Sequence, residues 1–127
     1  MKAQFTIIFM GTPDFAVPTL QALIQNRYAV PLVVTQPDRP KGRGRKRVAP
    51  PVKIKALELG LEILQPSTLK DEKFRDQIRQ LQPDFFVVLA FGHILSENIL
   101  QLPKLATINI HASLLPKYRG PAPEAGR

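Results

Sequence analysis

Short apolar runs alternate with amphipathic stretches along this chain, and thirteen prolines cut between them. Phe5 to Met10 is β-branched and aromatic and predicts a buried first strand. Gly11-Thr12-Pro13-Asp14 reads as a turn. Asp14 or a neighbour can cap a helix to about Asn26, with Leu20, Leu23 and Ile24 on its apolar face. Pro18 is tolerated only in a first helical turn, so the start can be a separate short turn. Val30 to Thr35 predicts a second strand, followed by a Pro- and Gly-rich loop. A helix is expected from Pro50-Pro51 to the terminating Gly60, then a short strand over Leu61 to Leu64. Ser67 or Thr68 is expected to cap a helix to about Leu81, in which Phe74, Ile78 and Leu81 share a face. The unbroken run Phe85 to Leu89 fits a strand buried on both faces. A short helix over Ser96 to Leu102 and a fifth strand over Leu105 to Ile110 complete the pattern. Strands alternating with helices predict an α/β fold, a doubly wound, mostly parallel sheet.

The chain has 127 residues, enough for one domain with a real core. Its 44% hydrophobic and 22% charged composition is that of an ordinary globular protein, and no apolar run approaches a membrane span. The expectation is therefore no membrane partner. The first residues lack the pattern of a signal peptide. With no cysteine there is no disulfide framework, which fits a cytoplasmic location. His93 and His111 are the only histidines, so no metal site is expected.

Charge changes the picture more. Between Gln36 and Lys55 eight basic residues face one acid, Asp38, so +7 of the chain's +8 lies in twenty residues. A solvated surface loop is one reading of this cluster. The other is an electrostatic footprint for a polyanion.

The candidate chemistry lies near the far end. Asn109 and His111 are two residues apart at the end of the fifth strand, and on a strand such residues point to one face. A carboxamide donor beside an imidazole suits oxyanion stabilisation and proton shuttling in acyl transfer. Strand ends are also where open α/β sheets bind ligands. The alternative is a polar pair that satisfies backbone groups. Gly11 follows the first strand, but Thr12-Pro13-Asp14 does not supply the further glycines of a dinucleotide fingerprint. Gly42-Arg43-Gly44-Arg45-Lys46 is not a phosphate-binding P-loop, since no Ser or Thr follows the lysine. Gly11 is then a turn glycine, either next to bound substrate or simply structural.

Three segments carry a resemblance. Asn109-x-His111-x-Ser113-Leu114-Leu115-Pro116, followed by Tyr118-Arg119-Gly120, resembles the signature of folate-dependent formyltransferases. Phe9-Met10-Gly11-Thr12-Pro13-Asp14-Phe15-Ala16 and Thr35-Gln36-Pro37-Asp38-Arg39-Pro40 are more specific. Together they look like the branch of that family acting on methionyl-tRNA, over residues 5 to about 123.

The resemblance implies a Rossmann-like N-terminal formyltransferase domain. It implies transfer of a formyl group from the co-substrate 10-formyltetrahydrofolate to the amine of methionyl initiator tRNA, in translation initiation. Asn109 and His111 would be the catalytic pair. Phe91, Gly92, His93, Ile94 and Leu95 would line one side of the folate pocket and Ser113, Leu114, Leu115 and Pro116 the other. For His93 an exposed loop position is the alternative. Gly11, Thr12 and Pro13 would lie next to substrate. The basic loop, residues 36–49, would face tRNA through Arg39, Lys41, Arg43, Arg45, Lys46 and Arg47, with Arg43 nearest the end of the acceptor stem. Such a loop is expected to be mobile over 38–48 without RNA.

Sixteen residues follow His111. The family's catalytic aspartate and C-terminal β-barrel, which lie further on, are not among them, and Glu124-Ala125-Gly126-Arg127 departs from the family pattern. The chain therefore reads as a truncated N-terminal part, expected to have little or no activity alone and to be open to self-association. Two other readings stay open: a formyltransferase for a small amine or nucleotide sugar, and a non-catalytic RNA-binding or oligomerising module.

Overall fold

The structure, a computed structural model, describes residues 4–41, 44 and 46–111. Its centre is a five-stranded sheet in which every neighbouring pair is parallel. The strands are β1 (Thr6–Gly11), β2 (Ala29–Val34), β5 (Ile63–Leu64), β6 (Phe85–Leu89) and β7 (Ala106–Asn109), in the order β5-β2-β1-β6-β7. The chain winds outward from β1 in one direction and then from β6 in the other. That reversal is the doubly wound arrangement the alternation predicts, and it puts a switch point between β1 and β6.

Alternating side chains divide the core into two layers. Phe9, Val33, Val87 and Leu89 face helices α1 (Val17–Gln25) and α2 (Pro51–Glu58), meeting Leu20, Val52 and Ala56. Ile8, Met10, Phe86 and Val88 face α3 (Glu72–Leu81) and α4 (Glu97–Leu100), meeting Phe74, Ile78 and Ile99. Phe9 and Phe86 are fully buried. Each large side chain so placed contributes about 1.5–3 kcal/mol of transfer free energy.

Several local expectations need correction. The segment after β2 is not an irregular loop: Arg39–Lys41 (β3) and Lys46–Val48 (β4) pair as an antiparallel hairpin, Arg39 opposite Val48. Three-residue strands of such polar composition have no periodic signal, although their backbone pairing is local. Asp14 caps no helix. Residues Asp14–Ala16 form a single 3₁₀ turn, and α1 starts after it with Pro18 in its first turn. The cap of α3 is Asp71, whose Oδ1 accepts from the Lys73 N–H at 3.0 Å. Thr68 instead closes a separate turn onto Lys70, because Leu69 buries itself in the core before the helix begins. Leu81 lies half-exposed at the end of α3, while Phe74 and Ile78 are buried.

Among the described residues β7 lies at the sheet's edge. Its register with β6 sets Ile108 opposite Val87 and Asn109 opposite Val88. Ile108 therefore shares the α1/α2 face, where among the described residues nothing covers it, and it is 43% exposed. Among those residues no helix is long and apolar enough to cross a membrane.

Candidate active site and basic hairpin

The register levels the carboxyl ends of four strands. Met10 pairs with both Val34 and Val88, and Val88 pairs with Asn109. The segments leaving this row are Gly11-Thr12, Thr35-Gln36, Ala90 to Leu95 and Ile110-His111, and all meet at one edge. Thr12 ties three of them. Its carbonyl accepts from the Val52 N–H at 3.2 Å, satisfying an orphan donor at the start of α2. Its hydroxyl donates to the Phe91 carbonyl at 2.8 Å, and the Gln36 N–H approaches that hydroxyl at 3.4 Å.

After β6 the backbone turns sharply. Ala90 has φ +54°, a conformation costly for a residue with a Cβ, and Gly92 has φ +97°. The returning loop encloses a hollow of about 330 Å³ with Val88, Ala90, Phe91, His93, Ile94, Leu95, Leu100 and Asn109 on its walls. Asn109 thus faces the loop that the resemblance implies for the folate pocket. Gly92 does not line the hollow. It backs onto Gln36, and a Cβ there would lie 2.6 Å from the Gln36 amide nitrogen. His93 tilts its ring against Phe91 with centroids 5.0 Å apart, and its Nε2 is buried without a partner among the described groups. Ile94 is 96% exposed at the mouth. His111, the last described residue, is exposed. The Ile110 N–H donates to the Val88 carbonyl at 2.8 Å, so strand pairing continues to its neighbour. Ser113, Leu114, Leu115 and Pro116 lie outside the described residues.

A second hollow, of about 280 Å³, lies across the Thr12–Phe91 link. Thr12, Gln36, Arg39, Val48 and Pro50 are among its walls. Here the hairpin meets the sheet. Asp38, the one acid in the basic segment, secures its root. Its carboxylate accepts from Lys53 Nζ at 3.1 and 3.2 Å and from Gln65 Nε2 at 2.7 Å, and its carbonyl accepts from Arg47 Nη1 at 2.9 Å. Arg39 donates to Gln36 Oε1 at 2.9 Å. Lys46 and Arg47 are exposed on β4, whereas Arg43 and Arg45 lie outside the described residues. Sequence reasoning passed over Thr35, Gln36, Lys53 and Gln65 as site residues. Polar side chains that bond across the fold leave no periodic trace. The one available signal was Asp38, an acid alone among cations.

The hydrogen bond from Gln65, and then that from Lys53, holds the Asp38 carboxyl below its ordinary value of 3.8. A lowered folded-state pKa stabilises the hairpin root above the unfolded value and loses that contribution as pH falls through the folded one. Acid titration from pH 5 downward should leave the root intact to about pH 3.8 and release it below. The readout is the resonances of Asp38, Gln65 and Lys53 by NMR. Release well above that pH would contradict the assignment.

The model of the formyl transferase family matches residues 3–125. The chain belongs to that family. Among its relatives is a methionyl-tRNA formyltransferase of Moorella thermoacetica, 57% identical over 117 residues, which are 92% of this chain and 38% of that protein. One from Geobacter metallireducens is 58% identical over 121 residues, 95% of this chain and 39% of that protein. The chain spans about two-fifths of the length of these relatives. Among solved structures, phosphoribosylglycinamide formyltransferase from Bacillus halodurans superimposes with a TM-score of 0.58 at 17% identity, covering 91% of this chain and 60% of that one. Glycinamide ribonucleotide transformylase 1 from Symbiobacterium toebii gives 0.61 at 15%, covering 92% and 56%. At such identities the family members share the fold. The level strand ends and the hollow beside the switch point are the features this family fold brings together here.

Proposed function

We propose that this chain is the part of a methionyl-tRNA formyltransferase that binds 10-formyltetrahydrofolate and the acceptor end of initiator methionyl-tRNA, in the cytoplasm. The observation that carries the reading is the placement of the Asn109 carboxamide in a hollow walled by Ala90, Phe91, His93, Ile94 and Leu95, one strand from the switch point. The hollow suits a flat heteroaromatic ring: Val88, Leu95 and Leu100 offer apolar walls, the Phe91–His93 pair an aromatic one, and Asn109 a polar contact. Gly11, Thr12 and Pro13 border the same edge. Ser113 to Pro116 belong to the reading as its second wall.

The co-substrate supplies an activated formyl carbon on nitrogen. The Asn109 amide donates to the formyl oxygen as the methionyl amine adds and negative charge develops there. The His111 imidazole passes a proton from the attacking amine to the departing nitrogen, which leaves with its electron pair. Water exclusion falls to the apolar walls Val88, Leu95 and Leu100.

The basic hairpin supports an RNA acceptor over a small amine. Arg39, Lys41, Arg43, Arg45, Lys46 and Arg47 are taken as the phosphate contacts. Lysine and arginine contacts to phosphate release counterions, so affinity falls steeply with salt. With the 127-residue chain and an initiator tRNA acceptor-stem helix, replacing both Arg43 and Arg45 with alanine should reduce the slope of log K against log salt by roughly 1.5. An unchanged slope would remove these two residues from the RNA interface. Catalysis is tested in a chimera in which this chain replaces the matching 117 residues of the Moorella thermoacetica relative. Formylation of methionyl-tRNA by the chimera supports the reading, and its absence in a folded chimera sinks it. The chain alone, assayed beside it, is expected to show little or no turnover.

A further inference from the structure

One buried amide joins the two hollows. Gln36 is 7% exposed, and its side chain is bonded at both ends. Nε2 donates to the Phe91 carbonyl at 3.2 Å, and Oε1 accepts from Arg39 Nη2 at 2.9 Å. Phe91 walls the hollow that contains Asn109, and Arg39 opens the basic hairpin. Gly92 lies flat against the same amide, where a Cβ would approach Nε2 to 2.6 Å and Cδ to 3.3 Å. The backbone of Gln36 is held as well, its carbonyl accepting from Gln65 Nε2 at 3.0 Å. The side chain therefore has little freedom except through its two partners.

We propose that Gln36 is a positioning residue that couples the basic hairpin to the loop 90–95, so that a phosphate on Arg39 reshapes the hollow containing Asn109. The coupling rests on the reading of the hairpin as RNA-facing and the hollow as folate-binding. Its physical basis is competition for one guanidinium. A phosphate accepts a charge-assisted bond roughly twice as strong as the neutral amide can. Once Arg39 Nη2 turns to phosphate, Gln36 Oε1 is left unpaired in a buried site, which is costly. The amide then reorients, and the Nε2 bond to Phe91 changes with it. Ligands shift an equilibrium only by differential contacts, and this exchange of partners is one.

The test uses the whole 127-residue chain, labelled with ¹⁵N and free of ligand. Arg39→Met should shift the amide resonances of Gly92 to Leu95 in the otherwise unchanged chain. In a Gln36→Met background the same Arg39→Met change should leave them where they are. A residue that is merely structural would move the loop in both backgrounds alike, because only a shared pathway makes two substitutions non-additive. Equal shifts in both backgrounds, or none in the first, overturn the coupling. If Gln36→Met does not fold, the cycle is run with Gln36→Leu, which likewise removes both the acceptor for Arg39 and the donor to Phe91. Loop shifts from Arg39→Met should vanish there too, and their persistence would overturn the proposal. A second measurement uses two probes, tetrahydrofolate and an acceptor-stem RNA helix. RNA should change the tetrahydrofolate Kd by about fivefold, the equivalent of one net hydrogen bond, and by nothing in Gln36→Met. If neither probe binds, the functional reading falls, and the resonance cycle still decides the coupling.

Discussion

Replacing Asn109 with alanine in the chimera should lower kcat by about 10²- to 10³-fold, the usual loss when one oxyanion donor is removed. The expectation follows from where the strand pairing places this residue. Asn109 is opposite Val88, whose side chain belongs to the α3/α4 layer, so the carboxamide leaves the sheet on that face. There it meets the hollow enclosed by the loop after β6. Among the described residues Asn109 is exposed on the outer strand and is no member of either core cluster, so the alanine variant of the 127-residue chain should keep the melting temperature of its parent. KM for tRNA should change far less than kcat, since a donor aimed at a developing oxyanion acts on the transition state more than on the bound substrate. Asn109→Asp sharpens the test. It keeps the shape, removes the donor and adds charge where the oxygen becomes negative, so it should be at least as damaging as alanine. A chimera that turns over normally with either substitution would end the assignment of Asn109 as a donor.

The elements that were legible in the sequence are those whose burial is periodic. β1 and β6 are continuous apolar runs because both their faces are covered, and α3 shows its stripe through Phe74 and Ile78. The position of Asn109 at a strand end was legible for a related reason, whereas the 90–95 loop entered only through the family resemblance. Strand alternation fixes which side a residue leaves, and the end of an apolar run marks the carboxyl edge. The hairpin β3–β4 was not legible, because Arg-Pro-Lys and Lys-Arg-Val carry no hydrophobic alternation. Nor was the exposure of β7, since Leu105, Ile108 and Ile110 read as buried although they lie at an edge uncovered among the described residues. The polar lattice of Thr12, Gln36, Asp38, Lys53 and Gln65 was the least visible. Gln36 and Gln65 are 29 residues apart and meet only because β5 packs beside β2. A motif can mark such residues, but pairing decides what they touch.

Gly11→Ala should cost about 3 kcal/mol of stability and lower the melting temperature by on the order of 10 °C. Gly11 ends β1 opposite Leu89, at the centre of the sheet. A Cβ there would lie 2.8 Å from the Leu89 carbonyl oxygen, 2.9 Å from Cε2 of Phe9 and 3.2 Å from Cβ of Ala16. The first of these atoms is backbone inside a parallel ladder, and the second belongs to a ring with no exposed surface. Neither can withdraw alone, so β1 and β6 must part or the 3₁₀ turn must lift. The damage is steric, not conformational. On an unstrained backbone with open space, the same change stabilises slightly by restricting the unfolded chain. Gly44 provides that control: among the described residues nothing lies within 4 Å of its hypothetical Cβ, so Gly44→Ala should leave the melting temperature within a few degrees of the parent. Thermal unfolding of the two variants side by side separates the effects. Equal melting temperatures would mean that β1 and β6 do not approach each other at Gly11 as described, and the Thr12–Phe91 link beside it would lose its basis.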